Sequence, residues 1–218
     1  WPLRGALLSG DIPGAGPDVV STLWGMWWFT QADLSALLGG HNTLANFPDG
    51  VRGSLLAPST AISYAAAEPF LGVGRASAVV NIVQLSGLSI ATAALAMRLH
   101  SGTAGALLAG LIVLVGRYPV FSLGEASVVA VAAAGLPLGL LGLVEAQQRG
   151  GRLAMLLLAG CMVFVSMENP YLAPILPAAT LLCVWTRRAL LWPLVGGLAG
   201  SMAVMALFGA SSNPEYPF

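Results

Sequence analysis

The sequence predicts an all-α protein: a polytopic membrane helix bundle of about six transmembrane helices, with two interfacial helices in a long outer loop. Three observations predict it. Hydrophobic residues fill 57% of the 218 positions and charged residues only 8%, where a soluble domain carries about a quarter. From residue 74 onward, apolar runs follow one another with short polar breaks between them. Residues 1–73, by contrast, mix polar and apolar positions and are rich in Gly and Pro.

In the first region, residues 1–73, two stretches have helical character, about 18–38 and 58–71. In the first of these Leu23, Trp24, Trp27, Trp28 and Leu34 recur every three or four residues and form one apolar stripe. Tryptophan favours the membrane interface, where the ring is apolar and the N–H stays wet. The helix therefore reads as one lying flat in the interface. The second region, 74–210, holds six apolar segments at 76–97, 103–116, 126–144, 153–167, 172–186 and 189–208. "RLHSG", "RYPVFSLGE", "EAQQRGGR", "ENPY" and "TRR" separate them. The third region, 211–218, is "SSNPEYPF", an outer loop or the start of a C-terminal region. With its abrupt start at Trp1-Pro2, the chain reads as a piece of a longer protein.

Arginine placement orients the bundle. Alternating the six spans puts Arg98, Arg149, Arg152, Arg187 and Arg188 on one side, all in short connections, so that side is cytoplasmic. Of the nine acids only Glu145 falls there; Asp11, Asp18, Asp33, Asp49, Glu68, Glu125, Glu168 and Glu215 fall on the other side. Several spans are short. The 15 residues of 153–167 cover roughly 22 Å of a hydrocarbon core about 30 Å thick. The outer loops are therefore expected to dip below the lipid surface, with Arg117, Glu125 and Glu168 around an outward-facing recess. Gly135-x-x-x-Gly139 and Gly196-x-x-x-Gly200 mark expected close helix contacts. Asn81 and Gln84, one turn apart, read as partners between helices rather than ligand groups.

Net charge is zero, which gives no electrostatic case for nucleic acid. Cys161 and Cys183 both lie in apolar runs and read as small buried hydrophobes. No metal-ligand spacing, phosphate loop, nucleophile elbow or dinucleotide fingerprint occurs. What remains is the carboxylate-rich outer side. Asp11 and Asp18 precede the aromatic helix in "GDIPGAGPDVVSTLWGMWW". Asp18 suits first of all a first-turn acid favoured by the helix dipole; with the helix lying flat over the outer recess and Asp18 pointing into it, the carboxylate would instead take a proton from a hydroxyl nucleophile. His41 in "GGHNTLANFPDGV" is better placed for function than His100, which sits in a short cytoplasmic turn. Arg117 would suit a lipid phosphate, because its planar fork matches phosphate oxygens; Arg117 and Glu125 would equally pair with each other.

The order of these features resembles a known group. An outer Asp18 followed by Trp24, Trp27 and Trp28, then "LLGGHNTLANFPDG", then short spans joined by "GRYPVFSLGEAS", is similar to the pattern of the GT-C superfamily, the multispanning glycosyltransferases that include the protein mannosyltransferase and oligosaccharyltransferase lineages. The resemblance covers about residues 9–148. It implies transfer of a sugar from a polyprenyl-phosphate donor on the non-cytoplasmic face of a bacterial inner membrane. It implies Asp18, with Asp11 second, as catalytic base or as holder of a divalent cation. Arg117, Glu125, Glu168 and His41 are the expected substrate-binding residues. The expected partners are the lipid bilayer, the lipid-linked sugar and a membrane protein complex. The sequence departs from the group in having no Asp-x-Asp pair, since Asp11 and Asp18 are seven residues apart. The competing reading is non-enzymatic: a multispanning structural subunit or a lipid-linked transporter of similar architecture.

Overall fold

The computed structural model describes residues 4–11, 27–31, 41–42, 51–52, 58–116, 129–169 and 172–209. In chain order these form α1 (Arg4–Ser9), a helical stretch at 27–31, β1 (His41–Asn42), β2 (Val51–Arg52), α2 (Pro58–Leu71), α3 (Val73–Arg98), α4 (Gly102–Val115), α5 (Val129–Arg149), α6 (Arg152–Glu168), α7 (Ile175–Val184), a 3-10 turn (Arg188–Leu190) and α8 (Leu191–Gly209). Among the described residues the protein is all-helical apart from one antiparallel two-residue ladder, which sets His41 opposite Arg52 and Asn42 opposite Val51. Two residues per strand are too few to carry a period-2 pattern.

Helices α3 to α8 stand on the six apolar segments. Among the described residues α3 alone is long and apolar enough to cross a membrane; α4, α7 and the Arg188–Val204 stretch are shorter apolar helices. Of the predicted interfacial helix at 18–38, only 27–31 falls within the described residues. There Trp28 is buried while Trp27 is exposed. The other predicted interfacial helix, 58–71, is present as α2, but α2 does not lie across the end of the bundle. It folds back antiparallel along α3. Tyr64 packs with Ala76 and Val80, and Thr60 meets Gln84. The turn between the two helices is one residue, Gly72, at φ 73° and ψ 166°, a region open essentially only to glycine. Gly72 closes both helices: its N–H donates to Glu68 O at 2.8 Å and its carbonyl accepts from Ala76 N–H at 2.9 Å.

Helix α3 packs on α4, α5, α2 and α1, α5 packs on α6, and α6 packs on α8, with α7 against α5, α6 and α8. The main core lies among α5, α6, α7 and α8, where Leu143, Leu158, Met162, Val165, Leu176 and Leu194 are buried. Glycine lets α5 lie close against α6 and α7. A Cβ on Gly135 would come within 2.6 Å of Val165 Cγ2, and one on Gly139 within 2.5 Å of Leu176 Cδ1. The first small-residue pair thus works as expected. The second is shifted by one: Gly197 and Gly200 meet Met162 and Val163, while Gly196 faces open space.

The bundle is apolar on its outer surface as well as in its core, and a few polar side chains are buried inside it. The interior holds Thr60, Ser77, Asn81, Ser166, Glu168, Thr180 and Ser201. Ser166 and Ser201 hydroxyls bond across the α6–α8 contact at 2.9 Å. The outside carries Leu107, Leu108, Leu111 and Ile112 of α4, Trp192 and Met202 of α8, and a nearly naked Trp185.

Candidate functional site

The buried carboxylate of Glu168 organises one end of the bundle. It is the last residue of α6 and is 4% exposed. Its Oε1 accepts the Ser59 backbone N–H at 2.7 Å, and its Oε2 takes a long 3.5 Å contact from the Thr60 hydroxyl. Gln84 Nε2 of α3 donates to Thr60 Oγ1 at 2.9 Å. The chain Gln84–Thr60–Glu168 therefore ties α3, α2 and α6 together. Ser59 is the second residue of α2, after a proline that suits the first helical position. Its N–H is one of the donors a helix leaves unpaired at its start, and a negative charge there is favoured by the helix dipole. Glu168 is an N-terminal cap supplied from another helix.

One turn along α2 lies Tyr64, fully buried, whose hydroxyl is the only buried side-chain polar atom without a partner among the described residues. Asn169 is buried beside Glu168, and its N–H bonds Val165 O at 2.8 Å. Along the helices, Gln84 stands about 21 Å from Arg98 and Glu168 about 24 Å from Arg152.

Of the sequence-predicted site residues, Asp18, Arg117 and Glu125 lie outside the described residues. The backbone of His41 is in the β-ladder opposite Arg52. Asp11 is exposed. The backbone at Gly10 and Asp11 lies directly on Gly74 of α3, where a Cβ would collide with it. Arg75 Nη2 donates to Leu8 O at 3.3 Å and fastens α1 to the same place. Asp11 and Glu168 are thus not neighbours: Gly74 is about 15 Å along α3 from Gln84. Glu168 is closed off by α2, so its carboxylate does not line an open recess. Ser59, Thr60 and Tyr64 were not read as important. The signal for them is faint: a helix starting at Pro58 has few polar groups, and Thr60 and Tyr64 share one face at i, i+4.

Asn81 and Gln84 separate in role. Gln84 bonds between helices, as expected, while Asn81 is buried on α3.

The opposite end is basic. Arg98 of α3 pairs with Glu145 and bonds Gln148, both on α5. Arg149 reaches Glu145 at 3.5 Å. Arg187 donates to the Gln147 carbonyl, and Gln147 Nε2 to Thr186 Oγ1 at 3.2 Å. Among the described residues no three His, Cys, Asp or Glu side chains cluster as a metal site requires. The chain matches no protein-family model, no curated protein and no solved structure.

Proposed function

We propose that the chain is the membrane part of a multi-pass transferase of the GT-C type. It moves a sugar from a polyprenyl-phosphate donor on the non-cytoplasmic side of a bacterial inner membrane. The membrane part of this reading is supported by the apolar outer surface and the buried hydroxyls. Contiguous apolar surface on several helices is rare on soluble monomers, and internal hydroxyl pairs are a common glue between helices in lipid. Arg98, Arg149, Arg152, Arg187 and Arg188 then mark the cytoplasmic end. Against a core of about 30 Å, the Glu168 network lies several ångströms below the outer surface. Backbone at that depth must be covered by protein, and α2 covers it.

The observation that carries the transferase part is the fold-back of α2. It brings the upstream segment to the Glu168 end. Five residues lie between Arg52 and Pro58, so over six chain steps the ladder bearing His41 lies within about 21 Å of that end. In the proposed reaction the acceptor hydroxyl oxygen attacks the anomeric carbon. The bond from that carbon to the phosphate oxygen breaks. The polyprenyl phosphate leaves with the electron pair, and Asp18 takes the hydroxyl proton or holds a divalent cation. Arg117 steadies the leaving phosphate. Glu168 is a positioning residue that holds α2. The test is transfer from a polyprenyl-phosphate sugar in proteoliposomes. Asp18→Asn is expected to abolish most transfer with an unchanged melting temperature, since a loop carboxylate contributes little to folding. Normal transfer by that variant removes the assigned role.

A second reading, a non-catalytic multispanning subunit, is favoured by one observation: the Glu168 carboxylate is fully used in holding helices together. Wild-type protein inert toward every polyprenyl-phosphate sugar, yet purified in a fixed ratio with a membrane partner, would select it.

A further inference from the structure

The sugar-transfer reading makes no use of a groove at the arginine end, between α5 and α6. The groove measures about 370 Å³. Leu141, Leu153 and Leu157 form its apolar walls, and Glu145 and Arg149 stand at its mouth. Glu145 is already engaged by Arg98 through Oε1. Arg149 touches its Oε2 only at 3.5 Å and leaves a side chain 73% exposed. Most of its five donors remain available. Arg152 is exposed on the other side of the Gly150–Gly151 turn. Five arginines face one acid at this end of the bundle.

We propose that this groove holds an anionic phospholipid. The phosphate sits on Arg149 and Arg152, and the upper acyl chain lies along Leu141, Leu153 and Leu157. A guanidinium fork matches phosphate oxygens in two-point contact, and basic pockets between membrane helices on the cytoplasmic side suit such headgroups. The walls decide between a lipid and a soluble phosphate. A free anion makes no use of the three leucines, whereas an acyl chain packs along them. The pairing of Arg98 with Glu145 has a role here too, since it neutralises the one carboxylate that would repel the phosphate. The proposal rests on the membrane reading and is independent of sugar transfer.

The test is native mass spectrometry of the full chain released from mixed phosphatidylcholine–phosphatidylglycerol vesicles. The expected result is a retained phosphatidylglycerol in preference to phosphatidylcholine. Arg149→Gln and Arg152→Gln should each weaken retention about five-fold, the effect of one basic residue at an anionic surface. Leu157→Trp, which fills the groove and leaves every charge in place, should also lose the lipid; it keeps the test decisive if an arginine variant fails to fold. Equal retention of the two lipids by the wild type would overturn the proposal. So would an unchanged preference in the Arg149→Gln/Arg152→Gln variant, or displacement by glycerol phosphate. A chain washed from membranes by alkaline carbonate would refute the membrane reading itself, whereas an inserted chain without lipid preference refutes the groove alone.

Discussion

Glu168 Oε1 accepts the backbone N–H of Ser59 at 2.7 Å, joining the end of α6 to the start of α2 across 109 residues of sequence. Neither end of that contact would be stable alone. The Ser59 N–H has no partner within its own helix, and a carboxylate 4% exposed is costly without hydrogen bonds. Each satisfies the other. Glu168→Ala should therefore lower stability by about 1–3 kcal/mol, the cost of leaving buried donors unpaired. Glu168→Gln keeps an acceptor oxygen and should cost less. Melting in detergent measures both, and an alanine variant as stable as the wild type would remove the capping role.

Tyr64 gives the opposite expectation. Its hydroxyl is buried with no partner among the described residues, so Tyr64→Phe removes an unsatisfied group and keeps the ring against Ala76 and Val80. The variant should melt at the wild-type temperature or above it. A loss of more than about 1 kcal/mol would mean that the hydroxyl is bonded in the folded protein.

Helix spacing offers a paired test. Gly139→Leu should destabilise by about 1–3 kcal/mol or more, because Leu176 and Cys161 already occupy the space. Gly197→Ala should be harmful for the same reason, since Met162 Sδ lies 2.5 Å from the added carbon. Gly196→Ala meets nothing and should gain a few tenths of a kcal/mol from helix propensity. A reversed order for positions 196 and 197 would show that α8 faces α6 differently.

The Arg98–Glu145 pair bridges α3 and α5 with side chains 20% and 25% exposed. A double-mutant cycle with Arg98→Gln and Glu145→Gln should give a coupling of about 1 kcal/mol, above that of a fully exposed pair. Coupling near zero would make the pair incidental to packing.

How far the fold was legible follows from range. The helices α3 to α8 were visible because each is a long apolar run, and a run is local information. α2 was placed at 58–71 and found at Pro58–Leu71, since Pro58 and Gly72 punctuate it. Its fold-back along α3 was not legible: "STAISYAAAEP" is too evenly small to mark one face, and the reversal hangs on the conformation of Gly72 alone. The role of Glu168 was half legible. The short 153–167 span did imply an acid below the outer surface. The capped partner, 109 residues away, leaves no trace in local sequence. The shift from Gly196 to Gly197 has the same cause, because two adjacent glycines fix no helix phase. Of the acids assigned to chemistry, Asp18 and Glu125 lie outside the described residues, so the catalytic assignment rests on the sequence resemblance.

The central claim is that the bundle crosses a membrane with its arginine end in the cytoplasm and residues 1–73 on the other side. Single-cysteine labelling tests it most directly. In a background with Cys161 and Cys183 replaced by alanine, Asp49→Cys and Ser101→Cys are each treated with a membrane-impermeant maleimide. The account predicts labelling at position 49 from the non-cytoplasmic side, and at position 101 only after the membrane is opened. Labelling of position 49 only from the cytoplasmic side would contradict it.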